Sequence, residues 1–131
     1  MKRRFAIAAP LCLVMALAAP PLLANGAAAS GETRALGSGI ASYYGAEFAG
    51  RRTSSGEPYR AGDFTAAHRT ARFGSHIRVR NLGNGREVIV RVNDRGPWSG
   101  GRVIDLSYAA AKAIGLHKSG TALVSLTLLD N

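Results

Sequence analysis

The stretch VIVRVNDRGPWSGGRVIDLSYAAAKAIG, residues 88–115, decides the fold. Val88, Val90 and Val92 alternate with Ile89, Arg91 and Asn93, and this period of two predicts a half-buried strand over Val88–Val92. The strand stops where Asp94-Arg95-Gly96-Pro97 supplies turn chemistry: Asp bonds its own backbone, Gly tolerates positive φ, and Pro removes a ladder donor. Ser99-Gly100-Gly101 extends the loop, and Arg102–Leu106 restarts an extended segment carrying a second carboxylate, Asp105. Ser107 then reads as a helix N-cap, Tyr108–Ile114 as a short Ala-rich helix, and Gly115 as the residue that ends it.

The same grammar runs outward. Ile40–Tyr44, Phe64–Ala67, His76–Arg80 and Ala122–Leu129 read as further strands, and Asn81-Leu82-Gly83-Asn84-Gly85 as a hairpin turn. Several short strands, little helix and no internal repeat predict a mainly β chain built as a small barrel. Upstream, Lys2-Arg3-Arg4, an apolar run from Phe5 and the small-residue exit at Ala24 read as a secretory signal peptide over residues 1–24. Pro10, Pro20 and Pro21 interrupt that run, which argues against a membrane anchor. Residues 25–38, rich in Ala, Gly and Ser, read as a flexible leader, and 39–130 as one domain. The sole cysteine, Cys12, lies inside the apolar run and not at its end, so a soluble envelope or periplasmic protein without lipid anchor or disulfide is expected, acting as a monomer.

The chain carries 17 Lys and Arg against 8 Asp and Glu, for a formal charge of +9. A basic surface of this kind is either plain solvated charge or attraction to an anionic envelope polymer. Nucleic acid is excluded as a partner by the expected export and by the lack of any helix-turn-helix, RNP-like or zinc-finger pattern. His68, His76 and His117 show no metal-ligand spacing, so neither a metal nor another cofactor is expected. A phosphate loop and a G-x-S-x-G elbow are absent too, and nothing near Ser107 would activate it as a nucleophile.

Three carboxylates remain as candidate chemistry, each with a plainer alternative. Glu57, in Ser54-Ser55-Gly56-Glu57-Pro58-Tyr59, is either a solvated loop residue or an acid whose pKa burial against Tyr59 would raise. Asp94 is either a turn former or a catalyst. Asp105, just before Ser107, could bond backbone amides at the helix start. His68 could orient a carboxylate or a substrate hydroxyl. Tyr43, Tyr44, Tyr59 and Trp98 are candidate platforms for the apolar faces of sugar rings, Trp98 being the better exposed candidate.

GIASYYG (39–45), GRRTSSGEPY (50–59), TAAHRT (65–70), NDRGP (93–97) and VIDLS (103–107), in this order, resemble the double-psi β-barrel domain of the rare lipoprotein A family, septal-ring lytic transglycosylases of bacterial cell walls. The resemblance covers about Gly39 to Leu128 and implies a six-stranded double-psi β-barrel with one or two short helices. It implies non-hydrolytic cleavage of the MurNAc–GlcNAc β-1,4 bond of peptidoglycan, with 1,6-anhydromuramoyl ends, on strands lacking stem peptides. By motif, Glu57, His68 and Asp94 are implied to line the glycan groove, while more distant double-psi barrels of expansin type nominate Asp105. Tyr44, Tyr59, Arg95 and Trp98 are then the expected substrate contacts. The competing expectation is a non-catalytic, expansin-like wall-binding module.

Overall fold

A computed structural model describes residues 33–130; the expected signal peptide and most of the expected leader lie outside the described residues. Six strands close into a barrel: β1 (Arg34–Tyr43), β2 (Thr65–Ala67), β3 (His76–Asn81), β4 (Glu87–Asp94), β5 (Arg102–Leu106) and β6 (Ala122–Leu128). Their order around the wall is β1-β5-β2-β4-β3-β6, with β6 pairing back to β1. The pairs β1/β5 and β2/β4 are parallel and the other four antiparallel. Helices α1 (Tyr108–Ala113) and α2 (Leu116–Ser119) follow β5.

The alternation read in the sequence sets the core. Val90 and Val92 of β4, Ile77 and Val79 of β3, Ile104 and Leu106 of β5 and Val124 of β6 are fully buried, and Leu126 beside them nearly so. Each such side chain stabilises the barrel by roughly 1.5–3 kcal/mol relative to exposure. Ile114 and Leu116 add to the same cluster from the α1–α2 corner. Ser107 is the N-cap that the sequence suggests, its Oγ accepting from Ala110 N–H (3.3 Å). Gly115 turns the chain at φ 78° into α2, the second of the short helices that the resemblance allows. Asn81 and Asn84 of the hairpin turn donate from Nδ2 to the Ile114 carbonyl at 2.8 and 3.0 Å, which pins the end of α1 to the barrel.

The leader reading fails over its last residues. β1 begins at Arg34 and pairs with β6 from Arg34↔Leu128 onward. Composition suggested a flexible chain, but the β6 ladder supplies hydrogen bonds whatever the side chains, and Leu36 packs against the core. Gly39 has a specific purpose: a Cβ there would stand 2.4 Å from Val103 Cγ1, so only glycine lets β1 and β5 approach.

Candidate functional site

The site arises from a register slip in β4. Pairing with β2 runs Thr65↔Arg91, Ala66↔Val92, then Ala67↔Asp94, skipping Asn93. Without that bulge, Asn93 and not Asp94 would stand beside Ala67. On its other edge Ala67 pairs with Asp105 of β5. Asp94, Ala67 and Asp105 thus form one row across three strands on the face opposite Val92, Ala66 and Leu106, the carboxylates separated by two strand spacings, roughly 10 Å between Cα atoms. Both line a groove of about 640 Å³.

Asp94 is held by three donors. Tyr44 Oη donates to Oδ2, and the backbone N–H groups of Ser54 (2.8 Å) and Arg95 (2.9 Å) donate to Oδ1. Burial works to push the carboxyl up, but the donors from Tyr44, Ser54 and Arg95 outweigh it and hold Asp94 below the usual aspartate range. Burial, and then the bond to Asp94, drive the Tyr44 phenol well above its ordinary value. Tyr44→Phe removes one donor, so the acid limb of any Asp94-dependent activity should move to higher pH. The sign follows from a depressed pKa: the ionised form is present across neutral pH and is lost as pH falls through the folded value. An unmoved limb in a pH–rate profile of the variant would show that Tyr44 does not tune Asp94.

Asp105 does not bond the helix amides; that role belongs to Ser107. Its Oδ1 accepts from Ser42 Oγ and from Arg102 Nη1 (3.1 Å), and Arg102 Nη1 also reaches Ser42 Oγ (2.8 Å). Among the described residues Oδ2 takes no protein hydrogen bond.

Glu57 is a correction to the sequence reading. Its carboxylate forms a two-pronged pair with Arg91, Nη1 to Oε1 at 2.9 Å and Nη2 to Oε2 at 2.7 Å, and Asn93 Nδ2 lies 3.3 Å from Oε1. The hydrogen bond from Arg91 lowers the carboxyl from its ordinary 4.5 to about 2, the reverse of the expected rise. Glu57 does not line the groove. It bolts the Thr53–Glu57 loop to β4, alongside Ser55 N–H donating to the Asn93 carbonyl (3.2 Å), and so presents the Ser54 N–H to Asp94. This pairing contributes stability above about pH 4.5 that is lost as pH falls toward 2. Glu57→Gln should flatten that part of the acid slope in thermal melts taken between those limits; an unchanged slope would refute the bolt.

His68 also stands behind the groove. Its Nδ1 accepts from the N–H groups of Thr70 (3.2 Å) and Ala71 (3.0 Å), and the His68 backbone N–H donates to the Asp94 carbonyl (3.1 Å). Burial, with the charges of Arg69 and Arg95, pushes the imidazole below its ordinary value, so it is neutral and orders the loop after β2. The ring does not orient a carboxylate, as the sequence reading had allowed. Arg95 is likewise diverted: its guanidinium donates to the His68 (3.1 Å) and Ala71 (2.7 Å) carbonyls and lies 4.0 Å over the Phe73 ring. The cations lining the groove besides Arg95 are Arg51, Arg52 and Arg102. Neither their exposure nor the 34-residue reach from Glu57 to Arg91 leaves a local sequence signal.

Of the aromatic candidates, Trp98 is 71% exposed at the rim, on a loop tied down by Arg69 Nη1 donating to the Pro97 (2.8 Å) and Arg102 (3.1 Å) carbonyls. Tyr59 is 3% exposed and backs Tyr44, ring centres 4.7 Å apart, so it offers little free face. Among the described residues no group of three His, Cys, Asp or Glu side chains could hold a metal ion. None of their helices is long and apolar enough to cross a membrane.

The closed six-strand barrel with two parallel pairs has the architecture of a double-psi β-barrel, crossed by a groove bearing carboxylates, arginines and aromatic rings. Residues 37–126 match the lytic transglycolase family, and the chain belongs to it. It is 52% identical over 102 residues to the probable endolytic peptidoglycan transglycosylase RlpA of Synechocystis sp., covering 78% of this chain and 32% of that protein. The endolytic peptidoglycan transglycosylases RlpA of Pseudomonas aeruginosa (53% over 92 residues; 70% and 27% covered) and Neisseria meningitidis serogroup A (54% over 88 residues; 67% and 37%) are similar too. The chain thus spans about a third of the length of these relatives. Among solved structures, a Streptomyces papain inhibitor superposes with a TM-score of 0.58 at 23% identity, covering 78% of this chain and 97% of that one. A Clavibacter michiganensis expansin does so at 0.55 and 19% identity, covering 76% and 52%. At these identities the likeness is one of fold.

Proposed function

We propose that the chain is an endolytic peptidoglycan lytic transglycosylase, cutting the β-1,4 bond between MurNAc and GlcNAc and leaving a 1,6-anhydromuramoyl end. The observation that carries this reading is the row Asp94–Ala67–Asp105, two carboxylates facing one groove across a single alanine. The family membership and the names of its relatives support the substrate class.

The division of labour follows from the two environments. Asp94, kept ionised by three donors, is the base that takes the proton of the muramoyl 6-hydroxyl as that oxygen closes on C1. Its negative charge also stabilises the oxocarbenium-like state. Asp105 protonates the leaving oxygen. Asp105 stands across Ala67 from Asp94 on the same groove, its Oδ1 held by Ser42 and Arg102 and its Oδ2 without a protein partner among the described residues. The anhydro ring forms by internal attack, so no water has to enter between the carboxylates. Trp98 offers a sugar face a platform beyond the turn, and Arg51 and Arg52 line the same groove.

The test is mass spectrometry of peptidoglycan, with and without stem peptides, after digestion by the purified protein. Anhydro ends, released faster from the stripped strands, are expected. Reducing ends would mark a hydrolase instead, and binding without product would mark an expansin-like module that uses the groove only to hold the wall.

A further inference from the structure

Beside the carboxylate groove lies a second concavity of about 390 Å³, walled by Tyr43, Tyr44, Tyr59, Tyr108, Ala46 and Ala61. Tyr43, Tyr44 and Tyr59 also line the main groove, so the two spaces share a wall. Its surface is almost wholly apolar although four of these residues are tyrosines. The reason is that three of the phenols are engaged inside the protein. Tyr43 Oη donates to the His117 carbonyl (3.1 Å), Tyr44 Oη donates to Asp94, and Tyr59 Oη accepts from Tyr108 N–H (3.0 Å). What they leave facing the cavity is ring carbon, joined by the methyl groups of Ala46 and Ala61. Tyr108, 41% exposed, meets the Tyr43 ring edge-on, centres 5.9 Å apart.

Such a pocket discriminates by what it cannot satisfy. A hydroxyl buried there loses its water without gaining a partner, and an ammonium fares worse. A β-1,4-linked sugar chain lying in the shared groove can offer it a hydroxyl, the ammonium of a free amino sugar, or the methyl of an acetamido group. Of these three substituents the methyl is the one that matches apolar walls.

We propose that this cavity is an acyl-selecting subsite, seating the N-acetyl methyl of an amino sugar bound in the groove and making N-acylation a condition of tight binding. The proposal rests on the glycan reading above, and its test therefore separates binding from turnover. Protein amide shifts are followed by NMR during titration with hexamers of N-acetylglucosamine, of glucosamine and of glucose. The acetylated hexamer should bind at least ~10-fold more tightly than either of the others, the scale on which apolar pockets sort small groups. Ala61→Leu, which fills the cavity, should bring its affinity down to that of the other two while leaving theirs unchanged. Ala46→Leu fills it from a second position, should Ala61→Leu lower the melting temperature. Tyr108→Phe should keep the preference, because the hydroxyl is not what selects. Equal binding of all three hexamers, binding of none, or a preference that survives both filled cavities overturns the subsite. In parallel, stripped peptidoglycan strands are digested before and after chemical removal of their N-acetyl groups. Anhydro products from acetylated strands alone support the subsite, and equal cleavage of both overturns it. A binding preference without any product supports the subsite while defeating the lytic assignment.

Discussion

Asp94→Asn is expected to lower the release of anhydromuramoyl products by at least ~10²-fold, the scale seen when a positioned acid–base group is lost. Its melting temperature should stay close to that of the wild type. Asparagine keeps an Oδ1 that can accept from the Ser54 and Arg95 amides. Its Nδ2 replaces the Oδ2 that Tyr44 now donates to, and the phenol can reverse and accept instead. Shape is therefore retained while charge and proton capacity are removed. The substitution carries its own internal check. Asp94 contributes to the raised pKa of Tyr44 both through its hydrogen bond and through its charge, after burial itself. The Tyr44 phenol should consequently titrate at lower pH in Asp94→Asn, readable by ultraviolet difference spectra. Loss of turnover with an unmoved phenol would mean that the groove had rearranged, and retained turnover would remove Asp94 from the chemistry. Adding Glu57→Gln to Asp94→Asn should cost little more, since Glu57 acts on the same carboxylate by way of the Ser54 amide and groups acting as one unit are not additive.

How far this site was readable from the sequence depends on the range of the interaction concerned. The strands were legible because their alternation is local: Val88, Val90 and Val92 declare a face without reference to anything else. Ser107 and Gly115 were legible for the same reason, a cap and a left-handed turn being set by neighbouring residues. Asp94 was legible as a turn carboxylate, but its outward aim depends on the bulge against β2, which only pairing creates. Glu57 was misread because its partner, Arg91, lies on a strand that no local pattern connects with the Ser54–Tyr59 loop. Arg95 sits in the turn and lines the groove, yet the carbonyls of His68 and Ala71 also claim its guanidinium, contacts that no local pattern announces. The start of β1 was hidden because a ladder hydrogen bond is indifferent to side chains, so Ala, Gly and Ser can form a strand wherever an edge such as β6 awaits them. For Asp105 proximity leaves two roles open, a helix-start contact or chemistry, and only the hydrogen bonds show that the cap belongs to Ser107, two residues on.

That last pair of residues gives the second large effect. Asp105→Asn is expected to lose at least ~10²-fold in turnover and to remain folded. The asparagine Oδ1 can go on accepting from Ser42 and Arg102, and Arg102, whose side chain is 32% exposed, can be solvated when its counter-charge goes. The stability cost should accordingly be that of a partly exposed ion pair, about 1 kcal/mol or less. Ser107→Ala should behave in the opposite manner. Ser107 is 1% exposed, and its Oγ accepts from the Ala110 amide and donates to the Asp63 carbonyl (2.6 Å). Removing it strips α1 of its cap and takes a donor from the part-buried Asp63 carbonyl, for a cost of roughly 1–3 kcal/mol, yet it takes nothing from the groove, so turnover below the melting transition should be nearly unchanged. Melts and product release measured on the two variants together form a cross: one loses activity and keeps its stability, the other loses stability and keeps its activity. If Asp105→Asn instead melts early and still cuts, Asp105 serves to hold Ser42 and Arg102 in place, and the proton for the leaving oxygen must come from elsewhere in the groove. If both variants stay folded and only Asp94→Asn is inactive, a single carboxylate serves as acid and then as base, and the low pKa of Asp94 would then show itself as turnover that rises steadily as the pH falls below neutral.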